Sequence, residues 1–504
     1  MPSIADIARC LTTCEERDPK AAYGSPLVHL NSNGNDIFVV SDLHLAAGTR
    51  EDGTYDGREN FFSDGAFQRF LRFVSGKKKS SNAVLVINGD FIDFLRITDI
   101  PSTDADFEQW AEILQRIGIE RTVEGLKASI TKKERTYGLK THEFKSLWKI
   151  AVAVRGHALF FDALAEWLSG GNKIIVVKGN HDLEWFWPGV RNYLRLVLAE
   201  RLQTSPAEDI VRILTERVLP FLLFIDEALI IDKSFYVEHG HRYDKFSHVV
   251  GGPLMNNGVE LNIPFGSFFN RYLLNRIELS YPFFDNVRPR ENLLPLLFRE
   301  RFFLGVKVFL QHLPYALHII PKRYFRYLFG RVLWYALPLA VLLVWLLALG
   351  VSWIHEGSLP PLVAGIINLF SSKSAGLLLD PLKGLLWTAA SFFFTRTVAY
   401  FQLEEPTSLA EFAGKKFAEH GDYQFITFGH THDPDEVAQD SRWFFNSGTW
   451  IPIVEISSAE IRHDRTYTYV HLAHDSSGGF SPRVLQRWDD NAGRPDSLVI
   501  VRRK

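Results

Sequence analysis

The chain has 504 residues, more than one typical domain, so two or three structural units are expected. Hydrophobic residues make up 46% of it and charged residues 23%, a balance that excludes a disordered chain. The formal net charge of −2 gives no overall basic field, so nucleic acid is not an expected partner.

Residues 1–35 predict an N-terminal arm, in which a short helix is followed by a polar loop at 31–35. Cys10 and Cys14 are spaced to lie on one face of that helix. Two reduced surface thiols are favoured over a metal or redox pair, because the chain has no third cysteine to complete a thiolate zinc site. A disulfide scaffold is excluded and no secretory signal is predicted, which suits a reducing compartment.

Beyond residue 35 the sequence repeats one pattern, a short apolar run that ends in a loop of Gly, Asp, Asn and His. The β-branched and aromatic content of these runs predicts buried strands. Helical patterns such as 65–75 and 155–168 alternate with the first three runs, which predicts an α/β fold. The ends of such strands are where α/β proteins place their sites. The runs are 37–40, 83–87, 174–177, 235–237 and 425–428.

The first two runs are followed by carboxylates with metal-ligand spacing. Asp42 and His44 stand two residues apart after the first run, so an extended chain points both toward one cation. Asp90 follows Gly89 at the end of the second run, where a carboxylate can approach metals closely and bridge two of them. Asp93 is predicted to support the loop or a ligand rather than to bind metal.

The remaining three runs supply neutral nitrogen and oxygen donors. Asn180 offers an amide oxygen after the third run, and His181 beside it is free to face a substrate instead. His239 follows the fourth run, and His430 and His432 follow the fifth in a His-x-His that can serve two adjacent ions. Each motif alone is more often structural. Together they match two five- or six-coordinate cations that share a carboxylate.

Two other segments carry no predicted catalytic residue. The stretch from about 100 to 150 is charged and helix-prone, and is expected to form helices beside the site. Residues 446–450, which follow the apolar run 443–445, predict a turn that supports the floor of the site.

The five motifs, in this order and in strand contexts, resemble those of the calcineurin-like metallophosphoesterases, over roughly residues 36–253 and 404–460. The resemblance implies two stacked mixed β-sheets flanked by helices. It also implies that one metal is held by Asp42, His44, Asp90 and His432, and the other by Asp90, Asn180, His239 and His430. His181 matches the histidine that contacts the phosphoryl group or protonates the leaving oxygen. The donor set suits Mn, Fe, Zn or Co, with Mn favoured.

Within that family the layout is most similar to the UDP-2,3-diacylglucosamine hydrolases, because of the helix 160–164 and an apolar insert between the fourth and fifth motifs. Three features depart from that branch. His181 stands where those enzymes have Arg, His241 stands where they have Asp, and the insert is far longer. The identity of their substrate is therefore not carried over.

The insert, 254–403, is predicted to be helical and membrane-associated, and it divides the catalytic domain into 36–253 and 404–504. Residues 332–353 contain no charge over 22 positions, enough for a membrane span, and 384–400 form a weaker candidate. The basic, aromatic run 322–327 fits the cytoplasmic side of a membrane. A buried helix of a large soluble protein, or a re-entrant or interfacial insert, are the alternatives. The catalytic domain is expected in the cytoplasm.

These features predict a hydrolase of phosphoester or pyrophosphate bonds, in which a hydroxide that bridges two metals attacks phosphorus. A phosphorylated substrate that is lipid-linked or close to a membrane is favoured. The alternatives are an anchored protein phosphatase or nucleotide phosphodiesterase with soluble substrates, and a metal-stabilised scaffold without activity. Arg58 and Arg242 are candidate phosphate contacts, with solvated surface arginine as the competing interpretation. The oligomeric state is not predicted.

Overall fold

The computed structural model describes residues 3–17, 25–77, 82–205, 207–279, 283, 286–288, 409–455, 460–461, 463–474, 480–481 and 485–498. The chain divides into two units, one made of 1–297 and 405–504 and the other of 298–404. The described residues all belong to the first unit. The predicted insert begins at 254, whereas the first unit continues to 297.

Helices and strands alternate through the first half of the chain, and strands dominate its end. The described helices are α1 (Ile4–Arg17), α2 (Asp64–Lys77), α3 (Asp104–Arg116), α4 (Val123–Ser129), α5 (Glu134–Tyr137), α6 (Glu143–Gly156), α7 (Ala158–Ser169), α8 (Pro188–Leu202), α9 (Ile210–Ile213), α10 (Phe265–Phe269), α11 (Asn275–Glu278) and α12 (Ala410–Glu419). Single 3₁₀ turns lie at Leu183–Phe186, His241–Tyr243 and His463–Arg465, and π-helical turns at Leu214–Val218 and Asn270–Leu274.

The strands form two large mixed sheets. They are β1 (Leu27–Leu30), β2 (Asp36–Val40), β3 (Ala83–Asn88), β4 (Lys173–Val177), β5 (Leu222–Ile225), β6 (Ala228–Ile231), β7 (Phe235–Glu238), β8 (Val287–Arg288), β9 (Phe425–Phe428), β10 (Asp435–Gln439), β11 (Arg442–Asn446), β12 (Val454–Glu455), β13 (Glu460–Ile461), β14 (Thr468–His474), β15 (Phe480–Ser481), β16 (Leu485–Asp489) and β17 (Arg494–Asp496). One sheet has the order β17-β16-β14-β2-β3-β4-β5 with β15 on β14, and the other β1-β6-β7-β9-β11-β10. Strands β13, β12 and β8 form a small third sheet.

The two large sheets stack face to face. Alternate side chains of each strand point to opposite faces of its sheet, so every second side chain is buried between the two sheets. Ile37, Val39, Val84 and Val86 from one sheet share a buried cluster with residues of the other, including Leu229, Val237 and Phe445. The opposite face of the β2–β3–β4 sheet packs against helices α2, α3, α6, α7 and α8. The outer face of the β7–β9 sheet packs against α12. The fold is therefore a pair of mixed sheets flanked by helices, as predicted.

The sequence predicted all five strands that precede the motifs, but it missed the strand of the N-terminal arm. Residues Leu27–Leu30 pair in parallel with Ala228–Ile231 and so form the edge of the second sheet. The helix predicted at 155–168 is wrong in one respect: α6 ends at Gly156 and α7 begins at Ala158. A side chain at position 156 would come within 1.9 Å of the Ala47 carbonyl oxygen, so only glycine fits at this break, where the loop after the first motif crosses the helices.

None of the helices formed by the described residues combines the length and hydropathy needed to cross a membrane. The predicted spans 332–353 and 384–400 lie outside the described residues.

A buried ion cluster holds the loop that follows the first motif. Glu59 accepts hydrogen bonds from the backbone N–H groups of Gly48 and Phe61, and its carboxylate lies 3.3 Å from His157 Nε2. His157 Nδ1 lies 3.1 Å from Asp64 Oδ1. Burial alone would lower the pKa of His157, but the Glu59 and Asp64 carboxylates outweigh it and raise that pKa to about 9.

The raised pKa makes stability depend on pH. The protonated imidazole stabilises the fold fully below its ordinary pKa of 6.5, and this contribution is lost as the pH rises through about 9. We expect the variant His157→Asn to be less stable than the wild type at pH 6.5, and we expect the difference in unfolding free energy to shrink by up to about 3 kcal/mol by pH 9.5. Thermal unfolding of both proteins across this range measures the gap.

The exposed His420 provides the control, since His420→Asn should leave the stability unchanged at either pH. A gap between wild type and His157→Asn that stays constant from pH 6.5 to 9.5 would contradict the proposed charge state.

Candidate metal centre

The five motifs meet where the carboxyl ends of both sheets come together. Strands β2, β3 and β4 run parallel in one sheet, and β7 and β9 run parallel in the other. Their following loops therefore leave the two sheets at one edge. The Asp42 N–H donates to the Gly89 carbonyl, and the Gly429 N–H to the His239 carbonyl, so the loops are also bonded to one another.

The first group of side chains contains Asp42, His44, Asp90 and His432, all buried, with ligand atoms within 4.8 Å of one another. His44 Nε2 lies 3.0 Å from His432 Nε2 and 3.6 Å from Asp90 Oδ2. Asp42 Oδ1 lies 3.2 Å from His432 Nε2 and 3.9 Å from His44 Nε2. These four residues are the predicted ligands of one metal, and the fold brings them to one point.

A second group contains Asp90, His239 and His430, again buried and within 4.8 Å. His239 Nε2 lies 3.3 Å from Asp90 Oδ2 and 3.3 Å from the side-chain oxygen of Asn180. The predicted ligands of the other metal are thus also adjacent. Asp90 belongs to both groups, so its carboxylate joins them.

Three of these imidazoles are oriented by an acceptor on the ring nitrogen that faces away. His44 Nδ1 lies 3.0 Å from Asp93 Oδ2, and His239 Nδ1 lies 2.9 Å from the Asn88 carbonyl oxygen. His430 Nε2 lies 3.1 Å from Asp244 Oδ2. A proton held by such an acceptor leaves the lone pair on the other nitrogen, which is how metal-binding histidines are prepared.

His181 lies at the edge of this site and shares an acceptor with it. Its Nδ1 lies 2.8 Å from Asp93 Oδ2, and its ring packs edge-on against His44 at 4.7 Å. Burial alone would lower the pKa of His181, but the carboxylates of Asp93 and Asp90 raise it to about 9. Cations held by Asp90 would oppose that rise, since they repel an imidazolium. Asp93 Oδ2 thus lies within hydrogen-bond distance of both imidazoles, which is compatible with the supporting role predicted from the sequence. His44, Asp93 and His181 also form a third group of donor side chains that could hold a cation.

Glycines permit the close approach of the loops. A Cβ on Gly179 would come within 2.1 Å of Asp90 Oδ1, one on Gly89 within 2.3 Å of His239 Nδ1, and one on Gly429 within 2.7 Å of Asp42 Oδ2. A larger residue at any of these positions would push a ligand out of place.

Five of the predicted ligands have left-handed backbone conformations that side chains other than glycine adopt rarely. They are Asp42, His44, Asp90, His430 and His432, with φ between 50° and 69°. Such conformations persist only where the surrounding structure enforces them, and they cluster at functional sites.

Residues 446–450 contact the backbone and side chains of the first motif, as the predicted supporting turn requires. Thr449 Oγ1 donates to the Asp42 carbonyl at 2.7 Å, and Ser447 Oγ lies 2.7 Å from Ser41 Oγ. Asn446 Nδ2 donates to the Gly429 carbonyl.

The two predicted phosphate contacts are engaged with carboxylates. Arg58 Nε and Nη2 donate to the two oxygens of Asp56. Arg242 pairs with Glu227 and, at 3.1 Å, with Glu238. Contact of either arginine with a phosphate remains a prediction.

The sequence did not identify the residues that orient its histidines, apart from Asp93. Asp244 faces His430, and the only indication of this role in the sequence is that Asp244 lies shortly after His239. Arg96 and Glu278 form a buried ion pair beside Asp93. Glu278 is 182 positions from Arg96 in the sequence, so nothing in the sequence linked it to the site.

The chemistry of the donors fits metal cations. The first group places two carboxylates and two imidazole nitrogens around one point, an arrangement rich in lone pairs. Asp42 Oδ1 is buried and faces the imidazoles of His432 and His44 at 3.2 and 3.9 Å. Buried acceptors are costly without a partner, and a cation between them would satisfy all four groups.

We expect Gly179→Ala to displace Asp90 and to weaken the binding of divalent metal at least about tenfold, because the added Cβ overlaps the Asp90 carboxylate. Calorimetric titration with Mn²⁺ measures the affinity. Gly414→Ala is the matched control: a Cβ at this helical position meets nothing within 4 Å, so binding should be unchanged and stability slightly increased. Equal Mn²⁺ affinity in Gly179→Ala and wild type would contradict the packing described for Asp90.

No protein-family model, curated protein or solved structure matches the chain. The resemblance to calcineurin-like metallophosphoesterases therefore stays a prediction from the motif residues of the sequence.

Proposed function

We propose that this protein is a two-metal hydrolase of phosphoester or pyrophosphate bonds. The observation that supports it most is the shared Asp90, whose buried carboxylate belongs to two groups of donor side chains at once. Asp90 Oδ2 faces His44 of one group and His239 of the other, and a carboxylate in this position can bridge two adjacent cations, which is the arrangement used to hydrolyse phosphate esters. A single structural metal would not require the second group.

Each residue of the centre has a role in this proposal. Asp42, His44, Asp90 and His432 would hold one cation, and Asp90, Asn180, His239 and His430 the other. When bound, two cations neutralise phosphoryl charge and lower the pKa of water, so that hydroxide is present at neutral pH. Manganese is favoured, with iron, zinc and cobalt also compatible with the donors.

His181 would supply the proton for the leaving oxygen. It lies outside the two donor groups that share Asp90, although it forms a third group with His44 and Asp93, and its Nδ1 lies 2.8 Å from Asp93 Oδ2. The Asp93 carboxylate favours the imidazolium form of His181, in which the opposite nitrogen also carries a proton, and that proton is available for transfer. Phosphoryl transfer needs positioning and electrostatic stabilisation more than a protein nucleophile, so no covalent intermediate is required.

The proposed substrate is lipid-linked or lies close to a membrane. Its support is the sequence between the fourth and fifth motifs, where 332–353 carry no charge and the run 322–327 is basic and aromatic. Apolar sequence joined to the same unit as the site would bring the site to the bilayer.

Two substitutions test the proposed chemistry. Asp90→Asn should abolish metal-dependent hydrolysis, by at least about 100-fold, because an amide cannot bridge two cations as a carboxylate does. His181→Asn should retain metal but lower kcat about 100-fold for esters with poor leaving groups. Initial rates on phosphodiesters and metal content by mass spectrometry check both.

Asp162→Asn is the control, since Asp162 is half-exposed and pairs with Arg201 at 2.9 Å. Hydrolysis that survives both substitutions would remove the enzymatic proposal.

The substrate class is tested with the full-length protein in detergent. Rates are compared on phospholipid monoesters and diesters, lipid-linked pyrophosphates, nucleotides and phosphopeptides, each with Mn²⁺ present. We expect the highest kcat/KM on a lipid-bearing substrate, because the apolar insert would contribute binding energy there. Equal or faster turnover of nucleotides or phosphopeptides would favour an anchored enzyme with soluble substrates instead.

A further inference from the structure

One helical segment between the fourth and fifth motifs contacts the loops of the metal centre. It comprises α10, the π-helical turn Asn270–Leu274 and α11. Ser267 Oγ donates to the Asn180 carbonyl at 3.1 Å, and Asn275 Nδ2 donates to the Leu95 carbonyl at 2.7 Å. Both side chains are buried. The segment thus contacts the loops of the second and third motifs.

The last residue of this segment contributes a charge to the site. Glu278 is fully buried and pairs with Arg96, which is 2% exposed. Arg96 Nε lies 3.1 Å from Asp93 Oδ2, so the guanidinium is placed between two carboxylates. Arg96 Nη1 also donates to the Arg58 carbonyl at 3.3 Å, which fixes the loop after the first motif.

Asp93 is the point at which this chain of charges meets the metal centre. The same oxygen, Oδ2, lies 3.0 Å from His44 Nδ1, 2.8 Å from His181 Nδ1 and 3.1 Å from Arg96 Nε. One carboxylate therefore sets the ring orientation of a proposed metal ligand and of the proposed proton donor. A small rotation of Asp93 would displace both rings.

We propose that Glu278 and Arg96 are positioning residues, which hold Asp93 in the orientation that aligns His44 and His181. The inference rests on the proposed two-metal hydrolase function. The hydrogen bond from Nη1 to Glu278 and the ion pair of Nε with Asp93 together hold Arg96 in place more firmly than a single partner would. Because Glu278 lies between the fourth and fifth motifs, that part of the chain completes the centre rather than only anchoring it.

The test uses the full-length protein and removes the charge of Glu278 with little change of shape, in Glu278→Gln. Glu260→Gln is the matched control, because Glu260 lies in the same stretch and pairs with Lys140 at 2.9 Å. The double variant Arg96→Gln with Glu278→Gln tests whether the two residues act together. If Glu278→Gln does not fold, Glu278→Asp, which keeps the charge on a shorter side chain, replaces it under the same criteria.

Two readouts separate positioning from general damage to the fold. The first is the affinity for Mn²⁺, measured by calorimetry without any substrate. The second is kcat and KM, at saturating Mn²⁺, on the phenyl and 4-nitrophenyl esters of thymidine 5′-monophosphate. The 4-nitrophenolate leaves without a proton more readily than phenolate, so a misplaced His181 should affect mainly the phenyl ester.

For Glu278→Gln we expect Mn²⁺ affinity to fall about tenfold and kcat on the phenyl ester to fall about tenfold, with a smaller change on the 4-nitrophenyl ester and in KM. Glu260→Gln should match the wild type, and the double variant should lose no more affinity or kcat than Arg96→Gln alone.

Unchanged affinity and kcat in Glu278→Gln, or equal losses on both esters, would overturn the positioning role. A wild type that neither binds Mn²⁺ nor hydrolyses either ester would overturn the proposed function, and this inference with it.

Discussion

The structure of the centre depends on the placement of one buried carboxylate. Asp90 leaves the end of β3 at the junction of the two sheets and belongs to both groups of donor side chains. Its Oδ1 accepts a hydrogen bond from the His181 N–H at 2.9 Å, while Oδ2 faces His44 and His239. Oδ1 therefore fixes the orientation of the carboxylate, and Oδ2 lies between the two groups of donor side chains. A shift of the loop after β3 would disturb both groups together.

The loops that surround Asp90 have strained backbone conformations and are tightly packed. Left-handed φ values at five donor residues would be unfavourable in an isolated loop. Hydrogen bonds between successive loops, such as that from the His44 N–H to the Asp90 carbonyl, supply the compensation. Rigid loops of this kind keep donor atoms in place before a cation binds, which lowers the cost of binding.

Support for the donors comes from all sides of the fold. Asn88 and Asp93 orient histidines from the first sheet, Asp244 does so from the loop after β7, and Glu278 reaches Asp93 through Arg96. The helical segment that carries Glu278 lies in the stretch that the sequence predicted to be a membrane-associated insert between the two parts of the catalytic domain. The composition of that stretch showed that it is rich in aromatic and basic residues. Composition does not indicate which side chains, such as Glu278, are buried against the metal centre.

The sequence by itself determined the strands that precede the motifs, because these depend on local patterns of residues. It also predicted which side chains would meet at the candidate centre, and the contacts of Asp93 and of residues 446–450 are compatible with the supporting roles predicted for them. Only the tertiary structure decided which ring nitrogen faces the site, where the helix breaks at Gly156, and which distant carboxylate pairs with Arg96. The physical reason is the same in each case: these features arise from contacts between segments that are far apart in the chain, and no local pattern of residues encodes such contacts.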